Sequence, residues 1–256
     1  MDRIDRHSLA AQLYTLRECL GTPPEIAAAL ERVRAMGYPA VQISGMAPVD
    51  PVFVREALQR TGLVVCATHL PYEQLRDDPD GVVALHRLWD CSIVGIGAMP
   101  REFPRTEAGY LEFAREAAAI GRRLADRGLR LVYHNHRFEF APIGGRTALE
   151  FLMDAADPDC LGLELDTYWV QAGGGCPASW IRQYAGRIDV IHLKDMTVVE
   201  DEAVMAEVGS GNLDWPAILG ACRETGVRWL AVEQDVCRRD PFESLAMSLG
   251  FLGRFA

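Results

Sequence analysis

Eight short apolar runs punctuate the 256-residue chain, and longer amphipathic stretches separate them. The runs are Ser8–Leu13, Ala40–Ile43, Leu63–His69, Cys91–Gly97, Arg130–His136, Leu161–Asp166, Ile188–Lys194 and Trp229–Glu233. Most are rich in Val, Ile and Leu without clean polar alternation, as strands covered on both faces of a parallel sheet are. Between them, Pro24–Met36, Pro51–Arg60, Glu107–Arg127 and Asp240–Phe251 read as helices. Gly37, Gly62, Gly128 and Gly226 each stand between a helix and the next run, where a residue that accepts φ > 0 ends a helix. Eight strands alternating with helices imply repeated right-handed βαβ units, which close into an α/β fold: a single (β/α)8 TIM barrel over residues 1–256. An open doubly wound sheet is the alternative, but its GxGxxG is missing after the first run, which continues as QLYTLRECLG. The longest irregular stretches, Phe140–Arg146, Gln171–Pro177 and Asp195–Gly211, follow the fifth, sixth and seventh strands, where a barrel carries its functional loops.

The polar residues of this pattern collect at strand C-termini. The third strand ends in His69, and the fifth delivers His134 and His136, then Glu139. The sixth delivers Glu164 and Asp166, the seventh His192, Lys194 and Asp195, and the eighth Glu233 and Asp235. Side chains alternate along a strand, so His134 pairs with His136 on one face, as do Glu164 with Asp166, His192 with Lys194, and Glu233 with Asp235. In a closed barrel these groups converge. Their repulsion calls for a cation, and mixed oxygen and imidazole donors suit Mn²⁺, Zn²⁺, Co²⁺ or Fe²⁺. His86 lies within a helical pattern and reads as structural, and His7 as a solvated residue of the N-terminal tail. Cys66 reads as a small buried hydrophobe. The run Gly209–Trp215 reads as a turn with Asp214 as helix cap, or as a source of backbone N–H groups for a substrate anion.

Composition narrows the classes. Hydrophobic residues make up 49% and charged residues 24%, which suits a packed core. The net charge of −10 argues against nucleic acid as a partner. Seven scattered cysteines without a CxxC pair fit a reducing compartment. No apolar run approaches the ~20 residues of a membrane span. The expectation is a cytoplasmic protein with no membrane partner. Self-association into a homo-oligomer is left open.

The motifs YHNHRFEF, LELDTYW, IHLKD, VGSGNLDW and VEQD, in that order, resemble the sugar phosphate isomerase/epimerase superfamily, the xylose isomerase-like TIM barrels that include AP endonuclease family 2. The resemblance implies one divalent metal ion, Mn²⁺ or Zn²⁺ first, with Co²⁺, Fe²⁺ or Mg²⁺ as alternatives. Asp166, His192 and Glu233 match the family's ligands directly. The fifth-strand Glu of the family has no direct counterpart. His134 occupies its position and Glu139 follows on the loop. Glu139 is the preferred fourth ligand, because three carboxylates and one imidazole suit a hard ion.

The activity so implied is isomerisation or epimerisation of a sugar, keto-sugar or polyol through an enediolate. The alternative is a lyase or dehydratase acting on a keto-sugar or keto-inositol at the same site. His136 is the first candidate base, with His134, Glu139 or Glu233 as alternates. His69, Lys194 and Trp169 are candidate substrate contacts. No cluster of Arg and Lys at strand ends demands a phosphate, which favours an unphosphorylated substrate.

Overall fold

The computed structural model describes residues 3–256. Eight parallel strands close a barrel: β1 (Leu9–Gln12), β2 (Ala40–Ile43), β3 (Val64–His69), β4 (Ile93–Ile96), β5 (Arg130–His134), β6 (Gly162–Asp166), β7 (Ile188–Leu193) and β8 (Trp229–Val232). Each pairs with its sequence neighbours, and β8 closes onto β1 with Leu9 opposite Leu230. All eight expected runs are strands, trimmed by a residue or two at several ends. The four expected helices span Pro23–Met36, Pro51–Thr61, Glu107–Ala125 and Pro241–Leu252. Gly62 and Gly226 follow helices in the left-handed region, with φ of 68° and 73°, as the stop signals required.

The barrel interior is layered. At the bottom Ala10, Ala40, Cys66, Ile93, Val132, Val190 and Ala231 form a small apolar plug. One pleat further along, the inward positions turn polar: Gln12, Gln42, Glu164 and His192, all fully buried. Gln42 on β2 and Glu164 on β6 lie on opposite walls, yet Gln42 Nε2 donates to Glu164 Oε1 at 2.7 Å across the axis. The larger apolar core lies outside, between strands and helices. This division forces the charged groups up towards the C-terminal rim, where water and ligands can reach them.

Two of the stretches read as irregular contain short β-ribbons. Asp195–Val199 pairs antiparallel with Glu202–Ala206, and Pro142–Ile143 with Arg146–Thr147. The first ribbon turns on Glu200 and Asp201, with φ of 50° and 68°. Such turns usually announce themselves with Asn-Gly or Asp-Gly, and Glu-Asp carries no such signal.

Candidate metal centre

Two elements fix Asp166 at the end of β6. Its Oδ1 caps the helix Thr167–Ala172 by accepting from Trp169 N at 2.9 Å, and its own N–H donates to Asn135 Oδ1 at 3.0 Å. Oδ2 is thereby left free to face inward. There it meets His134 Nε2 at 3.4 Å, His192 Nδ1 at 3.8 Å and Lys194 Nζ at 2.9 Å. Glu233, one residue beyond β8, brings Oε2 to 3.0 Å from His192 Nδ1. One donor atom each from His134, Asp166, His192 and Glu233 falls within 4.8 Å of all the others, and the four residues are buried.

The hydrogen bonds around the two imidazoles settle their tautomers. His134 Nδ1 lies 3.0 Å from the carbonyl of Gly97, which only accepts, so that nitrogen carries the proton. His192 Nε2 lies between two acceptors, Glu164 Oε1 at 3.0 Å and Gln42 Oε1 at 2.9 Å, so it is the donor there. His134 Nε2 and His192 Nδ1 are the ring nitrogens left facing carboxylate oxygens. Burial acts to lower the His192 pKa, but Glu233 and Glu164 raise it well above the ordinary histidine value, so a cation bound here would take the place of the proton on Nδ1. His192 Nδ1 and Glu233 Oε2 are buried and have no partner with hydrogen-bond geometry, despite their short separation. Two imidazole nitrogens and two carboxylates converging here form a donor set that fits a single divalent cation.

Charge points the same way. Buried Glu164, Asp166 and Glu233, with half-buried Asp235, set four carboxylates against the Lys194 ammonium and the His192 ring, whose pKa Glu233 and Glu164 raise. Lys194 Nζ touches Asp166 Oδ2, Glu233 Oε2 at 2.6 Å and Asp235 Oδ2 at 2.7 Å. Burial would lower the Lys194 pKa, but these three carboxylates raise it well above the usual lysine value. Burial likewise acts to raise Glu233, yet Lys194 and His192 hold it well below the carboxylate range. Asp235 moves the other way, raised by burial and by the charge of Glu233.

Around the ligand cluster runs a second layer. His69 Nε2 lies 2.5 Å from Glu164 Oε2, and Glu164 joins it to His192 and Gln42. Gly95 makes room for that pair, since a Cβ there would lie 2.6 Å from the His69 ring and 3.0 Å from Glu164. His69, Glu164 and His192 also bring ligand-type atoms close together, but they share His192 with the first cluster. Gln42 carried no signal in the sequence, because a glutamine inside an apolar run looks like an isolated polar residue.

Other expected residues land as follows. His136 lines the cavity next to the cluster, its ring 4.7 Å from that of His134, with Nδ1 buried and unpartnered. Burial and the neighbouring His134 push its pKa down to about 3. Glu139 does not join the cluster. It is fully buried, accepts from the Tyr133 hydroxyl and takes the His136 N–H at 2.9 Å, so His134 is the fifth-strand member. A short 3-10 turn, Phe138–Phe140, folds the Glu139 carboxylate back onto those donors.

Lys194 donates to Asp235 Oδ2 at 2.7 Å and lies within ion-pair distance of Asp166 and Glu233, so its buried ammonium is engaged by acids of the cluster. It does not pair with its neighbour Asp195, which points to the other face and accepts from the N–H groups of Gly209, Gly211 and Leu213 and from the Trp215 indole. Those amides are therefore turned inward to Asp195 rather than offered to a substrate anion, while Asp214 caps the next helix through Ala217 N. Trp169 stands against His136 and Lys194, with its ring 5.6 Å from the imidazole. His86 is a structural residue, buried between the Val82 carbonyl and the Thr68 hydroxyl.

A sequence profile described as xylose isomerase-like TIM barrel matches residues 30–252, and the chain belongs to that family. Inosose dehydratase from Lacticaseibacillus casei is 25% identical over 88% of this chain and 87% of its own length. Among solved structures, a sugar phosphate isomerase/epimerase from Parabacteroides distasonis superposes with a TM-score of 0.80 at 21% identity, covering 97% of this chain and 94% of that one. An L-ribulose 3-epimerase superposes with a TM-score of 0.70 at 18% identity, covering 99% and 94%. Among the described residues, no helix is long and apolar enough to cross a membrane.

Proposed function

We propose that this protein is a divalent-metal-dependent enzyme that removes a proton beside the carbonyl of a keto-sugar or keto-polyol. The observation that carries the reading is the convergence of two ring nitrogens, His134 Nε2 and His192 Nδ1, with Asp166 and Glu233 in a buried cluster that holds more carboxylates than cations. Those four residues would hold the ion. When bound, it supplies a Lewis acid to two neighbouring substrate oxygens.

The remaining work falls to side chains on the cavity wall. His136 lines the cavity beside His134 with an unpartnered ring nitrogen, and by its position it is the first proton acceptor. His69, on the same wall, is anchored through Nε2 to Glu164 and is placed to hydrogen-bond a distant substrate hydroxyl. Glu233 is the alternative acceptor, through the carboxylate oxygen not engaged with the ion.

Two outcomes follow proton removal. Loss of the hydroxyl on the next carbon gives dehydration, and return of the proton to a different carbon or face gives isomerisation or epimerisation. We place dehydration first, because relatives that match nearly the whole chain are inosose dehydratases. Isomerisation or epimerisation, first on the sequence motifs, is the second reading, supported by the likeness to an L-ribulose 3-epimerase fold. The test is incubation of Mn²⁺-loaded protein with scyllo-inosose and common ketoses in D₂O. Mass spectrometry reading a loss of water supports the first reading, and solvent deuterium at carbon without loss supports the second. Neither change with any substrate would sink both.

A further inference from the structure

The cavity beside the cluster is about 730 Å³, within the ~300–1,000 Å³ that holds drug-sized ligands and large for a free hexose. Its walls are of two kinds. His69, His134, His136, Glu233 and Asp235 form the polar wall at the cluster. The rest of the lining includes apolar side chains from the loops after β2 and β3 and from the helix Pro79–Leu88 with its C-cap: Met46, Val49, Leu70, Pro71, Leu85 and Trp89. Trp89 is fixed there, because its indole N–H donates to the Pro51 carbonyl at 3.0 Å. Apart from Tyr14, Ser44 and Gln74, the lining away from the cluster offers no polar side chain, so the hydroxyls of a free polyol turned to it would gain few partners.

Charge limits the occupant further. Among the described residues, no arginine or lysine lines this cavity, while two carboxylates do. Lys194, the nearest ammonium, is engaged by Asp166, Glu233 and Asp235. Arg17 at the rim donates to the carbonyls of Tyr14 and Asp235 and stacks on the Tyr14 ring. A phosphate would meet acids with no cation to bind it.

From this we infer that the substrate is an uncharged two-part molecule: a keto-sugar or keto-polyol end at the metal cluster, and an apolar substituent, such as an aryl or alkyl ether or glycoside, against Met46, Leu85 and Trp89. The inference rests on the metal-site reading above and names its substrate class.

The experiment measures binding by titration calorimetry to Mn²⁺-loaded protein. The probes are D-fructose, L-sorbose and scyllo-inosose, each as the free compound, an O-benzyl ether and a monophosphate. For at least one parent, the benzyl ether should bind about tenfold or more tighter than the free compound, in line with burial of a ring, and the phosphate weakest of the three. In Leu85→Gln and Met46→Ser the ratio between ether and free compound should shrink. Equal affinity for ether and free compound in every series, or preference for a phosphate, overturns the apolar subsite and leaves the metal-site reading standing. No binding of any probe, with Mn²⁺ shown to be bound, overturns both.

Discussion

Nε2 of His192 lies 3.0 Å from Oε1 of Glu164, on the side of the ring away from the nitrogen that faces Glu233. One carboxylate thus holds the proton on Nε2, and the opposite nitrogen is the one turned to the cluster. Outer partners of this kind typically alter metal affinity by ~10–100-fold when changed. Glu164→Gln keeps the shape and removes the charge. Its Mn²⁺ affinity, read by competition with a chelating dye, should fall within that range while circular dichroism stays native. An unchanged affinity would remove Glu164 from the metal's support.

Lys194 presents a different balance. Its ammonium is fully buried among Asp166, Glu233 and Asp235. Taking one partner from a buried charge network costs about 3–5 kcal/mol, because the remaining charges stay desolvated. Metal-free Lys194→Met should lose stability of that order in urea unfolding. It should also bind Mn²⁺ more tightly than the parent, since a repelling charge beside the cluster is gone. Mn²⁺ at a hundredfold over its Kd should then restore ~2.7 kcal/mol. A variant as stable as the parent without metal would show that Lys194 does not offset those acids.

The barrel and most of its rim could be read from the chain, for reasons visible in particular residues. Strand parity alone puts His134, Asp166, His192, Lys194 and Glu233 on the inward face, and the structure keeps every one of them there. What parity cannot reveal is which partner claims a side chain. Glu139 was expected at the metal, but its nearest donors are Tyr133 and the His136 amide, brought round by a turn with no marker in HNHRFEF. Lys194 lies next to Asp195 in sequence and pairs instead with acids from β6 and the end of β8. Gln42 acts across the full width of the barrel, which no local pattern announces.

His86 provides a pH test remote from the centre. Its Nδ1–H donates to the Val82 carbonyl at 2.8 Å, and its Nε2 accepts from Thr68 at 2.9 Å, so the folded state needs the neutral ring. Burial lowers its pKa below the ordinary histidine value. Below the unfolded pKa of about 6.5 the unfolded chain takes up a proton that the native ring refuses. This contribution is therefore complete above that pH and is lost as pH falls towards the folded value. His86→Gln should be less stable than the parent at pH 8, and its stability should decline less between pH 7 and 5. Parallel pH profiles from urea titrations would reject this account.

The fifth-strand ligand is decided by comparing two variants. His134 holds its proton on Nδ1 against the Gly97 carbonyl and aims Nε2 at Asp166, whereas Glu139 is held by Tyr133 and the His136 amide. His134→Phe removes a metal donor, and Mn²⁺ affinity should fall by more than the ~10–100-fold expected of an outer partner. Glu139→Gln should leave that affinity close to the parent's, because its carboxylate faces other donors. Its effect should appear instead in thermal stability, since the replacement amide puts an N–H against the Tyr133 hydroxyl or the His136 N–H. Metal analysis of both proteins purified side by side gives the answer. A metal-free Glu139→Gln beside a loaded His134→Phe would return the fourth ligand to Glu139 and require the Phe138–Phe140 turn to open when the ion binds.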